Sequence, residues 1–351
     1  MRKLLLTLFV TGATLVGCSK SDDLPQEIET KASMTVKLHD TFENTLYSSL
    51  IYSFALIKDE KGNNAEYFEM EINSETDFDA KIKITNAKFV EETIIRKTIQ
   101  KGNNKFTFSP KWKFDDLKNV TTSGNTYFSF EIIDEKTNKS LDNKDLQLAY
   151  RSINECVFAA VEDGELIDLS PLFTSYVNED SPVIDPFLKE VGDFWKLAKT
   201  LDNRIPEFYG WAGQQLGDEY AVNQMAMIIA YLRGNNFTYS SITDTSNSSQ
   251  KIFSQYVRFI DNTIKNKQAN CVDGSVLLAS IFKKIGFNTF LVLEPGHMYI
   301  GVELVSREHL YIETTAIGTI QNPLMDSLRK PNESKIIDIQ EARRIGIKPI
   351  Q

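Results

Sequence analysis

The hydrophobic pattern of this chain of 351 residues changes at about Asp185, and that change limits the folds open to it. Over residues 33–165, short apolar or alternating runs are separated by turn sequences such as Lys61-Gly62-Asn63-Asn64 and Ser123-Gly124-Asn125. Alternation with a period of two residues is typical of half-buried strands. From Asp185 onward, apolar residues recur at helical spacing instead. The sequence therefore predicts an α+β protein that begins with a β-sandwich.

The predicted elements follow this division. The strands of the sandwich are expected at 34–38, 51–57, 67–72, 80–84, 105–108, 127–133, 146–150 and 156–161. Helices are expected at about 185–201, 220–232 and 250–264, with a polar surface loop at 235–249. We therefore predict a sandwich domain over 33–165, a linker over 166–184 and a second domain over 185–351, in which helices pack on an antiparallel sheet.

The first 17 residues are predicted to be a signal peptide. Met1-Arg2-Lys3 is positively charged, and the apolar stretch that follows is short for a stable membrane span. It ends in Leu15-Val16-Gly17-Cys18, which resembles the lipobox of bacterial lipoproteins. That resemblance implies cleavage before Cys18, lipidation of Cys18 and attachment to a membrane of the cell envelope, with 18–32 as a tether. The alternative is an ordinary secretory signal.

The composition excludes several classes of function. The net charge is −9 and no basic cluster is present, which argues against binding of nucleic acid, since phosphate contacts need Lys and Arg concentrated on one face. Neither His nor Cys recurs at the spacing of metal ligands, and no glycine-rich phosphate loop is present. We expect no metal and no cofactor.

A candidate nucleophile stands at Cys271. Apolar residues after it predict a helix that ends near Gly286, so the thiol lies at the helix N-terminus, where the free N–H groups and the dipole favour the thiolate. Asp273 in the first turn is expected to be structural, and Gly274 is expected to allow close approach. The other thiol, Cys156, lies in an apolar run that predicts a buried and inert side chain.

A base and an acid follow the thiol. His297 begins a predicted strand and points away from its apolar face. If the next strand pairs odd residues with odd residues, Glu313 shares the face of His297 as a diagonal neighbour. Glu303 competes with Glu313 for the orienting role, and His309 competes with His297 as the base.

These runs resemble the transglutaminase-like superfamily of papain-like cysteine enzymes. The resemblance is carried by Asn270-Cys271-Val272-Asp273-Gly274, Pro295-Gly296-His297 and Glu313-Thr314-Thr315. It implies a papain-like core with Cys271, His297 and Glu313 as the triad, although the acid in that superfamily is usually Asp. Papain-like enzymes often take an oxyanion donor from a polar residue upstream, for which Gln214 and Gln215 are the candidates.

Two functions fit this sequence. The first is a membrane-tethered cysteine hydrolase or acyl transferase that acts on peptide or isopeptide amides through an acyl-enzyme, with a peptide or protein as its substrate. The second is a surface lipoprotein without catalysis, in which the sandwich binds a protein or a glycan. The order of thiol, imidazole and carboxylate favours the enzyme.

Overall fold

The computed structural model describes residues 29–54, 65–240, 249–318 and 334–350. The predicted signal peptide, Cys18 and most of the predicted tether lie outside the described residues. No helix in the described ranges is both long enough and apolar enough to cross a membrane.

The N-terminal half consists of two facing antiparallel sheets with two short helices. Its elements are β1 (Ala32–Leu38), β2 (Thr45–Tyr47), α1 (Ser48–Phe54), β3 (Phe68–Ser74), β4 (Phe78–Asn86), β5 (Val90–Ile99), β6 (Gly102–Phe108), α2 (Phe114–Lys118), β7 (Gly124–Asp134) and β8 (Ser140–Arg151). One sheet has the order β1-β3-β6 and the other the order β2-β8-β7-β4-β5, in which only the short β2 runs parallel to its neighbour.

The core of this half lies between the two sheets. Inward residues such as Phe68 and Met70 on the first sheet meet Ile82 and Phe128 on the second, and all four side chains are fully buried. The rings of Phe68 and Phe128 lie 5.2 Å apart. Because alternate residues of each strand enter this layer, the period-two pattern of the sequence is explained, and the predicted sandwich is confirmed.

Four elements of this half differ from the sequence-based expectation: α1 replaces part of a predicted strand, and β2, β5 and α2 were not predicted. The run predicted as a strand at 51–57 is the helix α1 as far as Phe54, and the rest of the run lies outside the described residues. Periodicity does not distinguish a short apolar helix from a buried strand. The helix α1 is apolar on two sides, because Ile51 enters the core of the sandwich and Leu50 enters the core of the second half. The strand β5 was not predicted, because it is an edge strand with many charged residues.

The second half surrounds one buried helix. Its elements are β9 (Glu155–Glu162), β10 (Glu165–Asp168), α3 (Ile184–Leu201), α4 (Gly217–Gly234), β11 (Thr238–Tyr239), β12 (Ile252–Tyr256), α5 (Ile260–Asn266), β13 (Gln268–Ala269), α6 (Cys271–Lys284), β14 (Asn288–Glu294), β15 (His297–Glu303), β16 (His309–Ile312), β17 (Lys335–Asp338) and α7 (Ile339–Arg344). The antiparallel sheet β16-β15-β14-β17 carries α6 on one face, so the predicted α+β class is confirmed.

The hydrophobic core passes from one half to the other between Tyr150 and Ile153. Tyr150 belongs to the core of the sandwich, whereas Ile153 and the β9 residue Cys156 belong to the core around α6. The predicted sandwich limit at 165 falls inside the hairpin of β9 and β10, and 166–184 contains part of β10, a 3₁₀ segment at Ser170–Tyr176 and the start of α3.

The predicted helix at 250–264 is wrong in its first part. Residues Ile252–Tyr256 form β12, which pairs with β9 in antiparallel register, and the helix α5 begins only at Ile260. The pairing partner lies about a hundred residues earlier in the chain, so a local pattern does not reveal it.

The strand β15, which begins with His297, fits against β14 because of one glycine. A Cβ atom built at Gly301 would lie 2.0 Å from a ring carbon of Phe290 on β14. We expect Gly301→Ala to lower the free energy of unfolding by about 1–3 kcal/mol through overpacking, measured by urea denaturation.

Gly234 provides the control, because a Cβ there has nothing within 4 Å. Gly234→Ala at the end of α4 should leave the stability unchanged or raise it slightly. Equal stability of Gly301→Ala and the wild type would contradict the predicted clash.

Candidate active site

The thiol of Cys271 stands at the first position of α6, and a reciprocal cap determines where this helix begins. The side chain of Asn270 accepts a hydrogen bond from the Asp273 N–H at 2.7 Å, and the Asp273 carboxylate accepts from the Asn270 N–H at 3.3 Å. Asp273 also accepts from the Arg258 N–H at 2.8 Å. The expectation that Asp273 is structural is therefore confirmed, since it satisfies backbone donors beside the nucleophile.

The electrostatics of this helix end suit an anion. The capping box satisfies two of the first N–H groups, and those of Cys271 and Val272 lie in the first turn, where a helix offers no acceptor of its own. Burial raises the pKa of Asp273, and its hydrogen bonds and the Arg258 guanidinium oppose this only in part. Arg258 also forms an ion pair with Asp273 at 3.4 Å, so part of the negative charge beside Cys271 is balanced while the helix dipole acts on the thiol.

A tight hairpin presents His297. Glu294 pairs with His297 across the ends of β14 and β15, so Pro295 and Gly296 form a two-residue turn. Gly296 has φ +72°, a conformation that glycine adopts without strain, and proline suits the position before it. The imidazole thus begins β15 immediately after the turn, and its side chain is 27% exposed.

The register of the next strand brings the carboxylate to the imidazole. Gly301 pairs with Tyr311, and Glu303 with His309, so odd residues face odd residues as the hypothesis required. Glu313 follows β16 directly, and its Oε2 lies 2.7 Å from Nε2 of His297. With Nε2 engaged, Nδ1 is the ring nitrogen left for the thiol.

Hydrogen bonding by Cys271, and then by Glu313, raises the pKa of His297 to about 10, although burial acts in the opposite direction. Burial also acts to raise the pKa of Glu313, but hydrogen bonds from His297 and Thr315 outweigh it and hold the pKa below its usual value. The arrangement therefore favours an imidazolium beside the Cys271 thiol and the Glu313 carboxylate, which supplies the positive charge that an activated thiol requires.

The competing acid and base lie elsewhere. Glu303 stands at the far end of β15 and binds Arg307 and Asn288. His309 packs on the ring of Phe290 with their centroids 4.9 Å apart. Neither residue contacts the thiol or His297, because a strand of seven residues separates the two ends by about 20 Å.

The expected oxyanion donors Gln214 and Gln215 are not at this site. The amide of Gln214 donates to the carbonyl of Glu303, and Gln215 is exposed in a turn. The adjoining Gly213 packs against the C-terminal end of α6, where a Cβ atom would lie 2.4 Å from the Ile285 carbonyl oxygen. Because α6 has 14 residues, this end is about 20 Å from Cys271.

Cys156 is fully buried on β9, and burial raises its pKa well above the ordinary value for a thiol. It remains in the thiol form at neutral pH, in agreement with its predicted inert role.

The sequence did not point to Tyr239, which borders the site. The strand β11 runs parallel to β13, so Tyr239 pairs with Ala269, two residues before the nucleophile. Burial, and then the charges of Cys271 and Glu313, raise the pKa of this phenol. It stays protonated and remains a hydrogen-bond donor, while 45% of the residue is exposed to an approaching ligand. Its position after α4, beside a polar loop, was the only sequence signal.

Two hydroxyl groups were also missed. Ser275 and Thr314 both donate to the carbonyl oxygen of Cys271, at 2.6 and 3.1 Å. Gly274 allows this approach, because a Cβ atom there would lie 3.0 Å from the Thr314 side chain. The expected role of Gly274 is thereby confirmed.

The described residues contain no group of three or more His, Cys, Asp and Glu side chains arranged to hold a metal ion. What the site offers is a nucleophile, a protonated base and hydrogen-bond donors, a set suited to acyl transfer.

Comparisons with known proteins add little to this geometry. No family model matches the chain, and no curated protein matches it. A crystal structure described as that of "a putative protease" from Parabacteroides distasonis is similar at a TM-score of 0.25 and 13% identity, over 89% of this chain and 70% of that one. A TM-score this low does not establish a shared fold.

The pKa of His297 predicts how the stability of the protein depends on pH. The pKa is about 10 in the folded protein against 6.5 for a free imidazole, so the folded state holds the proton more tightly. The stabilisation is complete below about pH 6.5 and is lost as the pH rises through about 10. The stability advantage of the wild type over His297→Gln should shrink across this window in urea denaturation.

Cys271→Ala serves as the control, since the bond to Cys271 is the largest cause of the raised pKa. The stability that Cys271→Ala has over the double variant Cys271→Ala/His297→Gln should disappear at a lower pH than the corresponding difference in the wild-type background. A constant difference between the wild type and His297→Gln at all pH values would show that His297 carries no raised pKa.

Proposed function

We propose that this protein is a cysteine hydrolase or acyl transferase of the transglutaminase-like type, acting on peptide or isopeptide amides. The observation that carries the proposal is an imidazole that binds the Glu313 carboxylate at 2.7 Å and whose pKa is raised by Cys271 at the N-terminus of α6. A buried Cys or a surface His alone would have no such partners.

The chemistry begins with the thiolate and the imidazolium. Sγ of Cys271 attacks the carbonyl carbon, a C–S bond forms and the carbonyl electrons move onto oxygen. The imidazolium of His297 then gives its proton to the leaving nitrogen as the C–N bond breaks. In the second half, His297 takes a proton from water or from an amine, whose attack releases the acyl group and restores the thiolate. Hydrolysis and transamidation differ only in that second nucleophile.

The other residues of the site have supporting roles in this proposal. Glu313 orients the imidazole and stabilises its charged form through the 2.7 Å hydrogen bond. The first-turn N–H groups of α6 and the phenol of Tyr239 are the donors available to the developing oxyanion, which replaces the role expected of Gln214 and Gln215.

We further propose that the protein acts outside the cytoplasm, attached to a membrane through lipid on Cys18. The support comes from the lipobox-like sequence and from the position of the fold, because β1 begins at Ala32, where the predicted tether ends. The substrate would then be a peptide or a protein in or beyond the cell envelope.

The reactivity of Cys271 tests the enzymatic proposal. Iodoacetamide should alkylate Cys271 at pH 7 at least tenfold faster than a free thiol, because the fraction of thiolate is higher. His297→Ala should remove this excess, and Cys156→Ala should preserve it. Mass spectrometry of the peptides separates alkylation at Cys271 from that at Cys156, and from that at Cys18 in protein whose Cys18 is not lipidated.

A Cys271 that reacts no faster than a free thiol would exclude the proposed activation. The alternative of a surface lipoprotein that binds a ligand through its sandwich would then be favoured.

Tyr239→Phe tests the oxyanion role by comparing two reactions. Acylation by p-nitrophenyl acetate develops an oxyanion, whereas alkylation by iodoacetamide does not. The variant should acylate about a hundredfold more slowly and alkylate at the wild-type rate. Equal acylation rates would remove Tyr239 from the mechanism, and slower alkylation would indicate that the phenol acts on the thiol instead.

A further inference from the structure

We infer that Thr315 is a positioning residue for the acid of the site: its hydroxyl and N–H hold one oxygen of Glu313 and thereby aim the other at His297. The inference rests on the proposed function, because a residue that aims the Glu313 carboxylate at His297 affects activity only if His297 serves the thiol. It concerns the acid, whose identity as Glu is the unusual feature of this chain.

The contacts divide the carboxylate into two halves. Oε1 of Glu313 accepts from the Thr315 N–H at 3.0 Å and from the Thr315 hydroxyl at 2.7 Å. Oε2 accepts from Nε2 of His297 at 2.7 Å. Each oxygen is thus bound by a different residue, and Thr315 determines the plane of the carboxylate.

A glutamate needs such a restraint more than a shorter acid does. Its carboxylate lies at the end of three rotatable bonds, and the side chain is 26% exposed, so water competes for both oxygens. Two donors on Oε1 remove most of that freedom before His297 is engaged. They also favour the ionised carboxylate, which in turn favours the imidazolium.

The turn that carries Thr315 is itself tied to the nucleophile. Thr314 is 5% exposed and donates to the carbonyl of Cys271, where it meets Ser275. Arg233 on α4 donates to the carbonyls of Ala316 and Ile317 at 3.1 Å each. The segment Glu313-Thr314-Thr315 therefore supplies the acid and contacts the other two parts of the site. Glu313 binds the base, Thr314 binds the backbone of the nucleophile, and Thr315 holds Glu313 in place.

The titratable groups around Glu313 lie on separate elements. His297 on β15 lowers the pKa of Glu313, and the other titratable groups of the site are Cys271 on α6, which acts on His297, and Tyr239 on β11, whose pKa Glu313 helps to raise. Thr315 does not titrate, so replacing it changes the hydrogen bonding of Glu313 without adding or removing a charge.

The test compares Thr315→Val with Thr315→Ser. Valine keeps the shape and the backbone N–H but lacks the hydroxyl, and we expect acylation by p-nitrophenyl acetate at pH 7 to fall about three- to tenfold. The pKa of His297, followed by NMR, should move down from the wild-type value, because a less well oriented carboxylate stabilises the imidazolium less. Serine should restore the rate to within about twofold of the wild type.

A matched control comes from the sandwich. The hydroxyl of Thr107 on β6 donates to Glu66, the same kind of pair in the N-terminal half. Thr107→Val should leave the acylation rate and the pKa of His297 unchanged.

A second measurement keeps the inference falsifiable if Thr315→Val loses stability. In a Glu313→Ala background, which has no side-chain oxygen for Thr315 to hold, adding Thr315→Val should cost no further activity, because Thr315 acts through the carboxylate. Additive losses, or a Thr315→Val protein with wild-type acylation and wild-type His297 titration, would overturn the inference. A wild-type Cys271 no more reactive than a free thiol would instead overturn the proposed function, so the two failures are distinguishable.

Discussion

The site depends on the hydrogen bonds that join the N-terminus of α6 to the turn after β16. Ser275 and Thr314 share the carbonyl of Cys271, and Gly274 leaves the space in which they meet. This contact sets the distance between the nucleophile and the segment that carries Glu313. Ser275 and Thr314 are both buried, so a lost hydrogen bond leaves a buried polar group without a partner. The position of the Cys271 thiol relative to Glu313 is therefore determined by how the second half of the chain packs.

The electrostatics follow from that packing. The capping box satisfies the backbone around Cys271 and keeps Asp273 in a structural role, so the helix end favours an anion. The imidazole is held between the thiol and Glu313, and the pKa of about 10 results from this placement. An imidazole exposed on the same strand, without either partner, would titrate near 6.5 and supply no lasting positive charge.

Sequence reasoning succeeded where the information was local. The start of α6 at Cys271, the turn at Pro295-Gly296 and the alternation along β15 are all readable within a few residues, and the structure has each of them. It failed where a distant partner decides the outcome. The helix α1 was predicted as a strand, β12 was predicted as a helix, and Gln214 was expected at the nucleophile although it lies near the other end of α6.

By itself the sequence determined the α+β class and the position of Cys271 at a helix start, and it left the strand register that puts Glu313 on the face of His297 as a condition. The first two follow from a periodicity or a cap that acts over one or two turns of chain. Only the tertiary structure decided that Tyr239 borders the thiol, that Thr314 anchors the nucleophile and that Glu313 rather than Glu303 meets the imidazole. These relations depend on which elements pack together, and that choice is made by the burial of the whole core rather than by any local stretch of residues.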